Sequence, residues 1–175
     1  MKKNYATKIL TALTFLFFQL GFSQTTTWTG ASWDNGVPTI TVDAIISSGT
    51  CPILVDTEVK SIIIQDGAVL SVDESITLTI QDNIQVLGSG QFIVNNNASI
   101  LQNNASAVNV GNITYRRNAT SMIQYDYTYW SSPVAGQVLN VFSPLTLSDK
   151  FYSFNAATNS WVLESPTNTM QIGKG

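Results

Sequence analysis

The stretch IIIQDGAVL (residues 62–70) decides the fold. Three β-branched residues are followed by a polar pair able to bond its own backbone. A glycine free to turn left-handed and a second apolar run complete it. The unit reads as short strand, turn, short strand. LTIQDNIQV, starting at Leu78, and FIVNNNASI, starting at Phe92, can be written beneath it. VNVGNITYR, starting at Val108, is a fainter copy at a similar spacing. A degenerate unit this short suits a β-solenoid, in which each rung stacks on the last. On that reading the turn residues Asp66, Asp82 and Asn96 stand near one another on successive rungs, with Asn side chains bonded along a ladder. An antiparallel meander would repeat the turns without stacking. Several runs are apolar without alternation, as strands buried in parallel sheets tend to be, which favours the solenoid.

Outward from the repeat, TWTGASWDNGVP (residues 27–38) lies where the first rung would begin. Trp28 and Trp33 can cover an open core, and DNG before Pro38 makes a turn that does not continue a ladder, so this segment is expected to cap the solenoid. Beyond Tyr115 the repeat stops, aromatics become dense, and prolines enter at 133, 144 and 166. IQYDYTYW, FYSFN and SWVLE are three aromatic strand candidates joined by turn residues, the pattern of a small β-sandwich-like module, with NAATNSW as a hairpin connection. The expected organisation is a leader over 1–23, a capped solenoid over 24–116, and an incomplete sandwich-like module over 117–175.

The leader follows from MKKNYATK, an uncharged run over positions 9–20, and small residues at Gly21 and Ser23. That order marks a secretory signal, with cleavage expected between Ser23 and Gln24. The run is too short to span a bilayer, which takes about 20 residues. Removing the leader takes Lys2, Lys3 and Lys8 from the eight basic residues and none of the eleven acidic ones, leaving 5 − 11 = −6. Arg116–Arg117 is the sole basic pair, so nucleic acid is not an expected partner. One cysteine, Cys51, excludes an intrachain disulfide. The chain has no histidine, which removes the usual general base and the commonest zinc ligand.

Asp66, Asp73, Glu74 and Asp82 are the carboxylates a hydrolase on a β-helix could pair across a substrate. Each sits in a turn signature where acidic residues bond local backbone, and only Lys60 is close in sequence, so catalysis is disfavoured. No D-x-D-x-D-G loop occurs; no cofactor is expected, and structural calcium in the turns stays open. The tyrosines at 125, 127 and 129 would share one face of a strand, with Trp130 on the other. Such alternation suits a half-buried strand. Tyr125, Tyr127, Tyr129 and Trp130 could instead contact a glycan, since a flat ring stacks on a sugar face. The core reading is favoured.

Taken together, TWTGASWDNGVP and ITYRRN…YTYWSSPVAGQ…FYSFNAATNSWV…MQIGKG resemble the N-terminal region of large surface proteins exported by the type IX secretion system of Bacteroidetes, especially flavobacteria. The resemblance implies passage through export machinery and display on the outer surface or release. Such proteins end in a C-terminal sorting domain, and the sequence stops at MQIGKG, so a fragment is expected. The overall expectation is an exported, all-β, non-catalytic protein with a structural or adhesive role and weak binding to glycans or matrix. The alternative is a carbohydrate-active enzyme, a polysaccharide lyase or glycoside hydrolase on a β-helix.

Overall fold

Alternate residues of each short N-terminal strand point inward, and the inward residues stack in columns. The computed structural model describes residues 24–123 and 125–174; the leader, residues 1–23, lies outside them. On the first side of the solenoid, β1 (Gln24–Trp28), β2 (Val42–Ile46), β5 (Ile62–Ile64) and β8 (Ile84–Val86) pair in that order. On the second side lie β3 (Thr50–Ile53), β6 (Val69–Val72), β9 (Gln91–Val94) and β11 (Ile113–Tyr115). On the third lie β4 (Thr57–Val59), β7 (Thr77–Ile80) and β10 (Ser99–Gln102). Every pairing is parallel, which makes a β-solenoid of about four turns.

The register turns the period-2 alternation into a core. Cys51, Leu70, Phe92 and Ile113 form one inward column, and Ile53, Val72, Val94 and Tyr115 another. Ala44, Ile62 and Ile84 stack on the first side, and Leu78 lies between Thr57 and Ile100 on the third. Burying an Ile, Leu, Val or Phe side chain in this way is worth about 1.5–3 kcal/mol. The two buried threonine hydroxyls near the N-terminal end are satisfied: that of Thr26 donates to the Gly36 carbonyl at 2.7 Å and that of Thr57 to the Val55 carbonyl at 2.8 Å, whereas the Trp28 indole N–H is buried without a partner among the described residues.

One expectation is corrected by this register. Ile46 pairs with Ile64 and Ile64 with Val86. A full turn is therefore longer than the spacing between the aligned copies, which start at 62, 78 and 92. IIIQDGAVL spans the corner from first to second side, LTIQDNIQV that from third to first, and FIVNNNASI that from second to third. The recurring unit is a corner, and each recurrence advances two sides of the three. Asp66, Asp82 and Asn96 consequently stand on three different corners instead of stacking together. Rung-to-rung stacking of polar side chains does occur within a corner. Asn103 Nδ2 donates to Gln81 Oε1 at 3.0 Å, and Asn104 Nδ2 to Asp82 Oδ1 at 2.7 Å. The turn formers act locally as expected, with Gly67 at φ 73°, Ser75 at 63° and Asn97 at 59°.

The N-terminal end is closed as the cap reading expects. Trp28 and Trp33 meet edge-to-face at 5.6 Å and pack on the core, and Pro38 is buried beside them. Asp34 accepts the Thr27 N–H at 2.7 Å, which pulls the turn onto β1 and holds the carboxyl below its usual range. The lower edge of the second side is blunted by Pro52. The carbonyls of Gly49 and Ile53 accept from Val69 and Asp73 above, so position 52 faces the open edge, where proline has no N–H to offer.

After Arg116 the parallel ladder gives way to different structure. β12 (Tyr152–Asn155) and β13 (Ser160–Leu163) form an antiparallel pair, joined as the NAATNSW reading expects. The single short helix described, α1 (Leu139–Phe142), precedes them. Residues 132–138 make isolated bridges to 169–172. Among the described residues no helix is long and apolar enough to cross a membrane.

Candidate functional site

The strand candidate IQYDYTYW does not form among its described residues. Asp126 Oδ2 accepts the Ile123 N–H at 3.0 Å, the Asp126 N–H donates back to the Ile123 carbonyl at 3.1 Å, and Tyr125 takes φ 79°. A carboxylate that captures the backbone three residues earlier favours a turn over an extended strand. The favoured core reading of the tyrosine stripe is thereby overturned. Tyr125, Tyr127 and Tyr129 are 87%, 63% and 76% exposed. Gln124 lies outside the described residues.

One of the four candidate contact residues, Tyr129, meets the hairpin. In the β12–β13 ladder Tyr152 pairs with Leu163 and Phe154 with Trp161, so these four side chains share one face. All four are exposed, Trp161 by 54%. Phe154 meets Trp161 edge-on at 5.1 Å and 62°, and Tyr129 lies 5.9 Å from Trp161 with 35° between the planes. Lys150, two residues before Tyr152 in the chain, has its ammonium 2.9 Å from Asp149 Oδ2. That contact raises the Lys150 pKa and lowers that of Asp149, and the Tyr152 and Tyr127 phenols add smaller electrostatic contributions to Lys150. Trp130 turns elsewhere, half-buried against Phe142 of α1 at 5.1 Å, and Tyr125 projects from its own turn.

The opposite face of the hairpin explains why the rings point outward. Ser153 donates to Glu164 Oε1 at 2.6 Å, and Asn168 Nδ2 to Glu164 Oε2 at 2.7 Å. The Asn168 carbonyl accepts from Leu139 at the start of α1, and Phe151 is buried. This network fastens the polar face to the rest of the module. Sequence reasoning overlooked Lys150, Tyr152, Phe154 and Trp161. Their signal was present: alternation in FYSFN, alternation in SWVLE, and a hairpin linking the two.

The carboxylates considered for hydrolysis are not brought together. Asp66 is on the corner between first and second sides, Asp73 and Glu74 between second and third, and Asp82 between third and first. Asp66 Oδ1 accepts both the N–H and the hydroxyl of Ser89 at 2.7 Å, which lowers its pKa. Among the described residues no group of three or more His, Cys, Asp or Glu side chains is gathered as metal ligands would be. Cys51 is buried in the solenoid core, and burial pushes its thiol up to about 12, far from the thiolate a nucleophile needs.

The chain belongs to the family described as Domain of unknown function (DUF8693), whose model matches residues 21–175. No curated protein and no solved structure matches it.

Proposed function

We propose that this chain is an exported, non-catalytic recognition protein in which the solenoid serves as a stiff spacer and the hairpin module contacts glycans. The observation that carries the reading is the adjacency of Tyr129 and Trp161, two largely exposed rings with centroids 5.9 Å apart and planes tilted by 35°. An aromatic face is negatively polarised, and the C–H bonds on the flat side of a sugar ring present their positive ends to it. Rings kept in water at a cost of burial energy, and propped from behind by Glu164, are arranged for contact with a partner. Export rests on the leader pattern in residues 1–23. Display through type IX secretion rests on the resemblance of the cap and hairpin motifs. A carbohydrate-active enzyme is not favoured by the placement of the acids on separate corners.

The test is a glycan array probed with purified protein, with and without calcium, after circular dichroism has established β structure. Retention on one polysaccharide class that disappears in Trp161→Ala, with the spectrum unchanged, supports recognition. A folded protein that binds no glycan would leave the solenoid as a passive stalk and remove this proposal.

A further inference from the structure

We propose that the outer edge of β13 docks a second copy of this chain, the two hairpins joining β13 to β13 about a two-fold axis at Val162 into one four-stranded antiparallel sheet. The register shows which backbone groups are available. The Glu164 N–H donates to the Phe151 carbonyl at 2.8 Å, so these two residues are a hydrogen-bonded pair, and so, two positions along, are Val162 and Ser153. The residues between them, Trp161 and Leu163 on β13 and Tyr152 and Phe154 on β12, aim their N–H and C=O groups away from the ladder. Among the described residues β12 and β13 pair only with each other, so both rows lie at sheet edges. The β13 row is the barer of the two. Trp161 and Leu163 are 54% and 58% exposed, against 37% and 44% for their cross-strand partners Phe154 and Tyr152. A lone two-stranded sheet is marginally stable in water, and further strands are what it gains most from.

Charge and symmetry select the occupant. Sheet edges are ordinarily blunted by lysine, proline or a bulge, as Pro52 blunts one edge of the solenoid. Ser160–Leu163 carries no charge and no proline, and its register is unbroken. A strand of marked charge therefore finds nothing complementary on this row, whereas the row complements itself. A two-fold at Val162 sets Trp161 opposite the second copy's Leu163, and Leu163 opposite its Trp161. All of these residues have outward N–H and C=O groups, so each pair can exchange two hydrogen bonds. Opposed residues share a face, so indole meets leucine on the aromatic side and Val162 meets Val162 on the other. Ser160 falls opposite Glu164, and no like charges oppose one another. The joint is isologous and closes at two copies instead of growing into a fibre. Four residues a side fall well short of the roughly 800 Å² per partner of a standard interface, so the dimer is weak and reversible. Edge pairing leaves both faces of each hairpin uncovered, so this inference stands apart from the glycan reading.

The measurement is sedimentation of the purified protein over a concentration series reaching about 1 mM, with amide exchange read residue by residue in the same samples. The expected result is a reversible monomer–dimer equilibrium with a Kd between about 10 and 100 μM. As the dimer fills, the amides of Trp161 and Leu163 should gain protection while those of Tyr152 and Phe154 do not. Val162→Lys and Val162→Glu each set like charges opposite one another across the two-fold, and each should weaken association about fivefold or more. An equimolar mixture of the two variants should dimerise again, which misfolded chains would not do. A monomer throughout the series, or a dimer indifferent to both charges, overturns the proposal. So does protection that appears at Tyr152 and Phe154 instead, which would assign the joint to β12. The exchange readout uses the unaltered chain and so decides even if a variant fails to fold.

Discussion

Tyr115 and Arg117 reach the same carbonyl. The Tyr115 hydroxyl donates to the Ala98 oxygen at 3.2 Å and Arg117 Nη2 donates to it at 2.7 Å, while the guanidinium carbon lies 4.5 Å from the centre of the Tyr115 ring. Arg117 Nη1 also donates to the Asn95 carbonyl at 3.0 Å. Tyr115 tops the column Ile53–Val72–Val94, so the stacked pair closes one corner of the solenoid's last rung. Arg117→Ala is expected to loosen that rung by about 1–2 kcal/mol, from the lost cation–π contact and the charged hydrogen bonds to the Ala98, Asn95 and Arg116 carbonyls. Arg117→Lys should recover little, because an ammonium lacks the planar fork that spans both carbonyls. Amide exchange at residues 113–116 is the readout. Unchanged protection at Arg116, whose N–H donates to Val94, would show that the latch is ornamental.

Gly111 lies where the chain crosses to the second side of that rung, at φ 86°. A Cβ there would collide with the carbonyl oxygen and Cβ of Val86. Gly36 has a similar φ of 83° with nothing near its Cβ position. Gly36→Ala should therefore cost only the backbone strain, about 1–3 kcal/mol. Gly111→Ala should cost clearly more, since backbone must move as well. Chemical denaturation of the two variants side by side checks this, and equal losses would mean that the Val86 contact relaxes freely.

The corner motif was legible because it is local: Gln65, Asp66 and Gly67 specify a turn through their own backbone preferences. Which corner it is was not. Counting sides requires the length of a whole turn, and insertions at corners make the turn from Ile64 to Val86 longer than the one from Ile46 to Ile64. Trp28, Trp33 and Pro38 were legible as a cap because two large rings at the first rung have no other core to cover. The tyrosine stripe failed for a specific reason. Alternation at 125, 127 and 129 obeys the strand rule, but Asp126 bonds the Ile123 N–H and bends the chain out of strand geometry. The hairpin itself was readable, and pairing its strands on paper would have set Phe154 opposite Trp161.

Cys51 should behave as a reporter of solenoid opening. Its side chain is fully buried between strands, and the thiol is raised from 9.0 to about 12 by desolvation. Alkylation should be negligible in the folded protein and become stoichiometric in denaturant. The raised value also fixes a sign. The folded state holds the proton more tightly than the unfolded one, so the thiol's contribution is intact below pH 9.0 and declines as pH rises toward about 12. Cys51→Ala should remove that alkaline component while leaving a small cavity, which costs about 1 kcal/mol. Fast modification in buffer would place Cys51 outside a stable core.

Glu164 gives the hairpin module the opposite dependence. Its carboxyl is held below the ordinary glutamate value by the Ser153 hydroxyl first and by Asn168 second, with burial opposing. A depressed folded pKa stabilises above the unfolded value, about 4.3, and that contribution is lost as pH falls through the lower folded value. Because Glu164 is only partly shielded from water the effect is modest, and it should show locally, at the hairpin and not in the solenoid. The Trp161 indole N–H resonance, followed from neutral pH to below about pH 4, is the local probe. It should broaden or shift in acid while Trp28 and Trp33 in the cap hold their positions. In Glu164→Gln the Ser153 contact can persist on the amide oxygen without a titrating group, so the acid transition at Trp161 should flatten. An undiminished transition in that variant would assign the acid response to another carboxylate, and would detach Glu164 from the support of the aromatic face.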